Sequence, residues 1–422
     1  MVLLLFGETC DPLFLSESDW NQTLYAKLGA RLCHVELQDE NIMRILHLIT
    51  GLGDGGAEGN LYRLAISDSR HEHFVISMSS PGKYGPMLEE EGVKVHALGI
   101  SSKFLWLGKL VHASRLTREI RPDVIQTWMP HADFFGTLLA ALSRVRKIYW
   151  GVRNGTYNEV HSPLGTRLIV RLLAFLSWFA PDAIVSCSEA AVASHVALGY
   201  NPGKFVVIPN GVDTRAFGPR KKNDALAPTS VFLIGMFARF HPQKDHYSFL
   251  KSISVLSQNG FRCDAILVGN GVDSNNVLLN RWIDELGIRK RVTLLGARTD
   301  VSELMNSVDL VVMCSTFGEG FPNVVAEAMA TGTPCVVTDV GDALSIVGEL
   351  GWQAEPANPV DLASTIAEAY ADIQLEPPNI RAIRAARISK NYSLRTMVER
   401  FDSLYDLVSI AFLTRYSIQG AS

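Results

Sequence analysis

The 422-residue chain lacks a C-x-x-C pair, an Asp-x-Asp triplet and a G-x-S-x-G turn. Each absence removes a class of chemistry. Its six cysteines (Cys10, Cys33, Cys187, Cys263, Cys314 and Cys335) show no zinc-like spacing, and several stand in apolar runs. Such cysteines read as buried free thiols in a reducing, cytoplasmic compartment. The closest histidine pair, His71 and His73, opens a strand with no obvious third ligand, so no metal site is expected. Without a nucleophile elbow, an α/β-type serine hydrolase has no support. A positive charge excess is also missing: the net charge of -4 argues against a general nucleic-acid binder. No apolar run reaches the length of a membrane span. The nearest, Leu164 to Pro181, carries Arg167 and Arg171 and reads as an amphipathic core helix. Peripheral contact of that helix with a membrane surface is the alternative, left open by the mean hydropathy of +0.14. What remains is a globular chain, 47% hydrophobic and 19% charged, long enough for two domains with full cores.

The first 42 residues fit poorly with the rest. Met1 to Phe6 is apolar but short, has no basic residue and lacks a small-residue cleavage site, so it makes a weak signal peptide. A clean strand opens at Met43, and residues 1–42 read as an extension or an upstream start. From there strands alternate with helices, which predicts parallel sheets covered on both faces. Strands are expected at Arg44–Thr50, His73–Ser79, Lys94–Ala97, Val124–Thr127, Lys147–Val152, Ala183–Ser186 and Lys204–Ile208. Helical periodicity fills Ala57–Ser67, Leu107–Ile120 and Phe134–Leu142. A second series follows the polar stretch Pro219–Pro228, a linker candidate. Its strands are Val231–Phe237, Cys263–Val268, Val292–Leu295, Leu310–Cys314 and Cys335–Thr338. The expected fold is α/β, with two Rossmann-like doubly wound domains, residues 43–220 and 221–392. A last helix, Ser393–Phe412, lies in the segment 393–422, expected to pack back on the first domain.

The richest stretch is Glu319-Gly320-Phe321-Pro322-Asn323-Val324-Val325-Ala326-Glu327. Two carboxylates flank a Gly-Phe-Pro loop that follows a buried strand and opens a helix. Strand, glycine loop and helix start make an anion pocket, and the carboxylates can hold hydroxyls around it. In the same half, Arg239 and Lys244 sit where a strand ends and a helix begins, and a guanidinium and an ammonium there suit a diphosphate. Glycine turns at Gly269 and Gly296 end two further strands. The first half has its own glycine loop at Gly51, Gly53, Gly55 and Gly56, formally G-x-G-x-x-G. A dinucleotide reading needs an acid at the end of the next strand, and Ser77-Met78-Ser79 supplies none. The glycines still permit close backbone approach to a phosphate or sugar, or make only a tight turn. His131 follows a strand end and opens a helix, and Arg153, Ser186, Ser188 and Asn210-Gly211-Val212-Asp213 are further candidates on the same rim.

These residues resemble those of the retaining glycosyltransferases of family 4, which have the two-domain GT-B fold. The resemblance runs from about Met43 to Phe412 and is most specific in the Glu-x7-Glu pair, Glu319 and Glu327. The spacing of Arg239 and Lys244, Ile208-Pro209-Asn210-Gly211-Val212-Asp213, and the exopolysaccharide-type stretch Thr127-Trp128-Met129-Pro130-His131-Ala132-Asp133 add to it. Two departures stand out. Asp245 replaces a glycine usual after the lysine, and Gly341-Asp342-Ala343 replaces a common Gly-Gly run. The resemblance implies a nucleotide-sugar co-substrate, by default a UDP-sugar, with no further cofactor and no metal. It also implies a glycan or lipid-linked acceptor in surface polysaccharide synthesis. By analogy Glu327 holds the ribose and Glu319 faces the donor sugar, while Arg239 and Lys244 neutralise the leaving diphosphate. Backbone N–H groups of Phe321, Asn323 and Val324 add donors, and His131 meets the sugar or acceptor from the first domain. A GT-B sugar-nucleotide epimerase, a catalytically silent nucleotide-sugar binder and, third, an NAD oxidoreductase are the competing readings.

Overall fold

A computed structural model describes residues 42–100, 106–155, 163–220 and 231–419, with side chains through residue 406. The extension, Cys10, Cys33 and most of the linker candidate lie outside the described residues.

The first sheet has seven parallel strands: β1 (Arg44–Ile49), β2 (Glu72–Ser77), β3 (Lys94–Ala97), β4 (Val124–Trp128), β5 (Lys147–Val152), β6 (Ala183–Ser186) and β7 (Phe205–Val207). Their order is β3-β2-β1-β4-β5-β6-β7. The second has six: β8 (Phe232–Phe237), β9 (Cys263–Val268), β10 (Val292–Gly296), β11 (Leu310–Met313), β12 (Cys335–Thr338) and β13 (Trp352–Ala354), in the order β10-β9-β8-β11-β12-β13. The expected strands are all present within one or two residues of their predicted ends. The expected strands do not include β13, whose three residues are too short for a periodic signal. β4 and β8 are buried at every position. β8 (Phe232-Leu233-Ile234-Gly235-Met236-Phe237) accordingly shows no polar alternation, and β4 buries even its Gln126 and Thr127, because helices cover both faces of a parallel sheet.

The helix expected at Phe134–Leu142 starts earlier, at Pro130, because a proline with its preset φ fits the first helical turn. The last helix runs Leu394–Gln419, past its expected end. Its Met397, Phe401, Leu404 and Tyr405 join the core of the first sheet with Ile45, Val75 and Val124. Bidentate hydrogen bonds of 2.7 Å from Arg70 to Asp406 hold the same joint. The chain crosses there beside Val212, whose N–H donates to Tyr392 O at 2.8 Å and whose carbonyl accepts from Leu394 N at 2.9 Å. Four buried cysteines among the described residues are free thiols.

In each sheet the strand order reverses once, between β1 and β4 and between β8 and β11. Loops leaving adjacent strands in opposite directions open a crevice at such a point, and ligands of open α/β sheets bind there.

Candidate functional site

The reversal in the second sheet gathers its charges. The loop after β8 carries Arg239 and Lys244, and the loop after β11 carries Glu319. Thr316 N donates to Gln243 O at 2.9 Å and ties the two loops together. Lys244 Nζ pairs with Glu319 Oε1, which also accepts from Ser315 Oγ at 2.7 Å. Glu319 is only 9% exposed, so its carboxylate is held by a cation and a hydroxyl in a largely dry setting. Arg239 stands exposed at the rim. Gly269 and Gly296 brace this edge through a 2.8 Å backbone bond, and Ala238 N bonds Val268 O at the same length.

Asp245, where the resemblance leads one to expect glycine, has φ 50° and ψ 54°. That left-handed backbone explains the usual glycine, and aspartate is among the residues that tolerate it. The side chain gives something in return: it accepts from Ser248 N at 3.1 Å and caps the helix His246–Gln258.

The helix Asn323–Ala330 starts directly after the Gly-Phe-Pro loop, with Pro322 as its cap. Phe321 is buried in the core of the second sheet and packs on Tyr392 with ring centroids 5.3 Å apart. Its backbone N–H is directed at the Cys187 thiol, so the expected donor row reduces to Asn323 and Val324. The apolar ring seeks the core and takes its amide with it. Glu327, half-buried one turn into the helix, has its carboxyl pushed above the ordinary range by burial and drawn back by the Arg63 guanidinium of the first domain.

Arg63 and Glu58 were not singled out in the sequence. Both lie on the helix Gly56–Ser67 that follows the first glycine loop. Glu58 folds back over Gly55: a Cβ there would sit 2.2 Å from Glu58 Oε2. Gly55 thus admits a carboxylate of its own chain to the helix start. Burial raises that carboxyl's pKa, while its own backbone N–H and the Arg239 charge lower it. Gly56 faces the second domain, with Asn323 Nδ2 3.5 Å from its Cβ position, and Gly53 has open space around it. A helical face of Gly56, Asn60 and Arg63 would have been the readable signal.

In the first sheet His131 opens the helix Pro130–Ser143 at the rim, and partial enclosure lowers its pKa, which keeps the ring neutral at neutral pH. Met129 before it has φ 77° and ψ 157°, a region costly for a side-chain-bearing residue and typical of functional loops. Below it, buried Asp133 accepts from Gly151 N at 3.1 Å and Thr127 Oγ1 at 2.5 Å, and burial raises its pKa to about 7.

Arg153 stacks on Trp128, 4.2 Å from the ring centroid, and donates to Asn210 Oδ1 at 3.2 Å. Asn210 Nδ2 donates to Asn323 Oδ1 at 2.9 Å, on the other domain. Behind Trp128 runs a buried polar chain. Trp128 Nε1 donates to His47 Nδ1 at 3.2 Å, His47 Nε2 meets His73 Nδ1 at 2.8 Å, and His73 Nε2 meets Asp68 Oδ2 at 2.9 Å. The indole is a donor only, so each link must point toward Asp68 and both imidazoles are neutral. Burial first, then His73, holds His47 well below its ordinary pKa.

His71, expected to lack a third ligand, lies within 4.8 Å of Asp68 and Asp402 by their ligand atoms. Its Nδ1 accepts from Met43 N at 3.3 Å, so Nε2 carries the proton toward Asp402 Oδ1 at 3.7 Å. The ring offers a proton there and not a lone pair for a cation.

Ser188 caps the helix Glu189–Ala197 by accepting from Ala191 N, and Ser186 Oγ donates to Ser188 O. The same helix start is held from across the cleft. Asp342 accepts from Glu189 N at 2.9 Å and Ala190 N at 3.0 Å, and its own N–H donates to Gly320 O at 2.9 Å. Gly155 of the first domain lies so close that a Cβ would sit 2.0 Å from Glu319 O. The Glu319 turn is therefore wedged between both domains.

Residues 55–216 match the family model described as Glycosyltransferase Family 4, and residues 231–372 the one described as Glycosyl transferases group 1. The chain is 26% identical over 353 residues to the putative glycosyltransferase EpsF of Bacillus subtilis (strain 168), covering 78% of this chain and 88% of that protein. It is 26% identical over 367 residues to the N,N'-diacetylbacillosaminyl-diphospho-undecaprenol alpha-1,3-N-acetylgalactosaminyltransferase of Campylobacter jejuni, covering 82% and 93%. Among solved structures, HepE of Anabaena in complex with UDP superposes with a TM-score of 0.76 at 24% identity, over 86% of this chain and all of that one. The two sheets and these likenesses establish the GT-B fold.

Proposed function

The chain belongs to the GT-B glycosyltransferases, and on that premise we propose that it is a retaining, metal-independent enzyme that moves a sugar from a UDP-sugar to a lipid-linked acceptor in polysaccharide synthesis. The observation that carries this reading is the Lys244–Glu319–Ser315 cluster at the β8/β11 reversal, with Glu327 on the adjoining helix. Relatives support the substrates. The Campylobacter protein and an Escherichia coli relative, 27% identical over 247 residues, are named for diphospho-undecaprenol acceptors, and the latter for UDP-Gal.

In this reading Lys244 and Arg239 neutralise the diphosphate as its charge grows, a stabilisation that is strongest in the transition state. The N–H groups of Asn323 and Val324 add a helix start to the same task. Glu327 accepts from the ribose hydroxyls. Glu319 engages Lys244 and Ser315 through Oε1 and takes sugar hydroxyls through Oε2. The acceptor hydroxyl attacks the anomeric carbon on the face from which the diphosphate departs. The new C–O bond forms as the C–O(phosphate) bond breaks, and a diphosphate oxygen receives the acceptor proton. His131, neutral and at the rim, contacts the sugar or acceptor from the first domain.

The test combines thermal-shift titration with UDP-, GDP- and ADP-sugars and an NMR readout of the product anomer. A UDP-sugar is expected to raise Tm, since a ligand that binds only the folded state stabilises it, and the product is expected to keep the donor's configuration. An inverted linkage overturns the retaining mechanism. An epimerised nucleotide sugar with no transfer overturns the transferase reading.

A further inference from the structure

The helix Leu164–Leu176 buries Val170, Leu173 and Ala174 against the first sheet and turns an apolar stripe outward. Leu164, Leu168, Leu172, Phe175 and Phe179 follow one another at spacings of three or four residues, and they are 69%, 64%, 42%, 64% and 74% exposed. Trp178, 53% exposed, extends the stripe and is pinned by a 3.2 Å hydrogen bond from Nε1 to Gly199 O. Single exposed apolar residues are ordinary, but a contiguous stripe marks a contact surface. Among the described residues no helix is long and apolar enough to cross a membrane, so the stripe belongs to a helix that lies along a surface.

Charge selects the partner. Between Pro163 and Ala180 the chain carries Arg167 and Arg171 and no acid, although the whole chain has a net charge of -4. Arg115 and Arg118 on the helix Trp106–Ile120, and Arg144 and Arg146 in the turn after the helix Pro130–Ser143, are exposed, and Glu119 is the one acid of the helix Trp106–Ile120. That helix adds exposed Leu107 and Val111. Apolar side chains framed by arginines fit an anionic bilayer, where the side chains enter the headgroup boundary and the cations meet lipid phosphates.

We propose that the outward face of the Leu164–Leu176 helix, with Trp178 and Phe179, docks this protein on an anionic membrane surface. The placement is useful. β5 ends at the site rim at Val152, and in a parallel sheet the following helix starts on that rim and runs away from it. The Leu164 end therefore lies on the side of His131 and Arg153. If the acceptor is lipid-linked, which rests on the function proposed above, docking brings the cleft to the depth at which its diphosphate leaves the bilayer.

Co-sedimentation of the full chain with phosphatidylglycerol/phosphatidylcholine vesicles tests the docking without any donor or acceptor. Wild type is expected in the pellet with these vesicles, in the supernatant with pure phosphatidylcholine, and partly released by high salt. Leu168→Asp/Phe175→Asp is expected to weaken vesicle binding at least about tenfold, as two apolar anchors leave the interface, and Arg171→Glu to weaken it less. The Tm and its shift with UDP are expected to stay at wild-type values, because these side chains face outward. Wild type remaining in the supernatant with anionic vesicles overturns the proposal. So does wild-type binding by the double variant, or a solution dimer that the double variant dissociates, which would make a second copy the occupant. Vesicle binding with no UDP shift leaves the docking surface standing and removes the donor assignment instead.

Discussion

The two strand-order reversals meet the cleft with different chemistry. At β8/β11 the charges themselves face the site: Lys244, Glu319, Arg239 and, one helix on, Glu327. At β1/β4 the loop after β1 carries glycines and an exposed Asp54 paired with Lys83, the loop after β4 opens on a neutral histidine, and Arg153 after β5 stacks on Trp128, while two further acids lie deeper or fold back. Glu58 covers its own helix start, and Asp68 sits at the far end of the His73–His47–Trp128 chain. On the reading proposed above, one half holds charge ready for a leaving group. The other half holds shape, and keeps it by buried hydrogen bonds.

If that contrast is correct, the largest loss follows from the charged side. Lys244→Ala removes the cation of a preorganised pair and is expected to lower kcat by about 100- to 1,000-fold, read in a steady-state transfer assay. A loss confined to KM would mean that the lysine only binds. Glu327→Ala is expected to weaken UDP binding by roughly ten- to a hundredfold, the worth of one charged hydrogen bond of about 1.5–3 kcal/mol. Calorimetry that finds an unchanged Kd would break the ribose assignment.

Asp342→Ala tests the seam between the halves. It removes two hydrogen bonds to the helix Glu189–Ala197. Solvent in the cleft offsets part of the loss, and kcat/KM is expected to fall by about tenfold. Asp342→Asn, which keeps one acceptor oxygen, is expected to recover part of it. Equal activity of all three proteins would show that the clasp does not set the position of Glu319.

The smallest effect concerns the shape-holding half. Asp133 has its pKa raised to about 7 by burial, from an ordinary value of 3.8. The folded state therefore favours the protonated acid. That stabilisation is full below the ordinary pKa and is lost as pH rises through about 7, at no more than about 1.4 kcal/mol per pH unit. Urea midpoints compared between pH 5 and pH 8 are expected to fall for the wild type and to stay flatter for Asp133→Asn. Parallel slopes would place the titration elsewhere.

Much of the charged half was legible in the sequence. Arg239, Lys244, Glu319 and Glu327 stand in loops or a helix start directly after buried strands, so their rim position follows from local pattern. The first half was less legible. Nothing local in the sequence says that Arg63 faces Glu327 or that Glu58 covers Gly55. Local pattern makes the Phe321 N–H an expected donor, but its ring belongs to the core and its amide meets Cys187. His71 seemed to lack a third neighbour because Asp402 comes from the last helix.

By itself the amino-acid order determined two parallel-sheet domains, because strands buried on both faces are largely apolar and their crossovers are helices. It also placed the charged loops at strand ends. Tertiary structure alone decided which loops meet. Asn210 reaches Asn323 across 113 positions, and Asp342 reaches Glu189 across 153. Contacts of that span leave no periodic trace in the chain. They exist only once two separate cores have formed and their rims close on each other, so the seam that positions Glu319 belongs to the fold and not to any local segment.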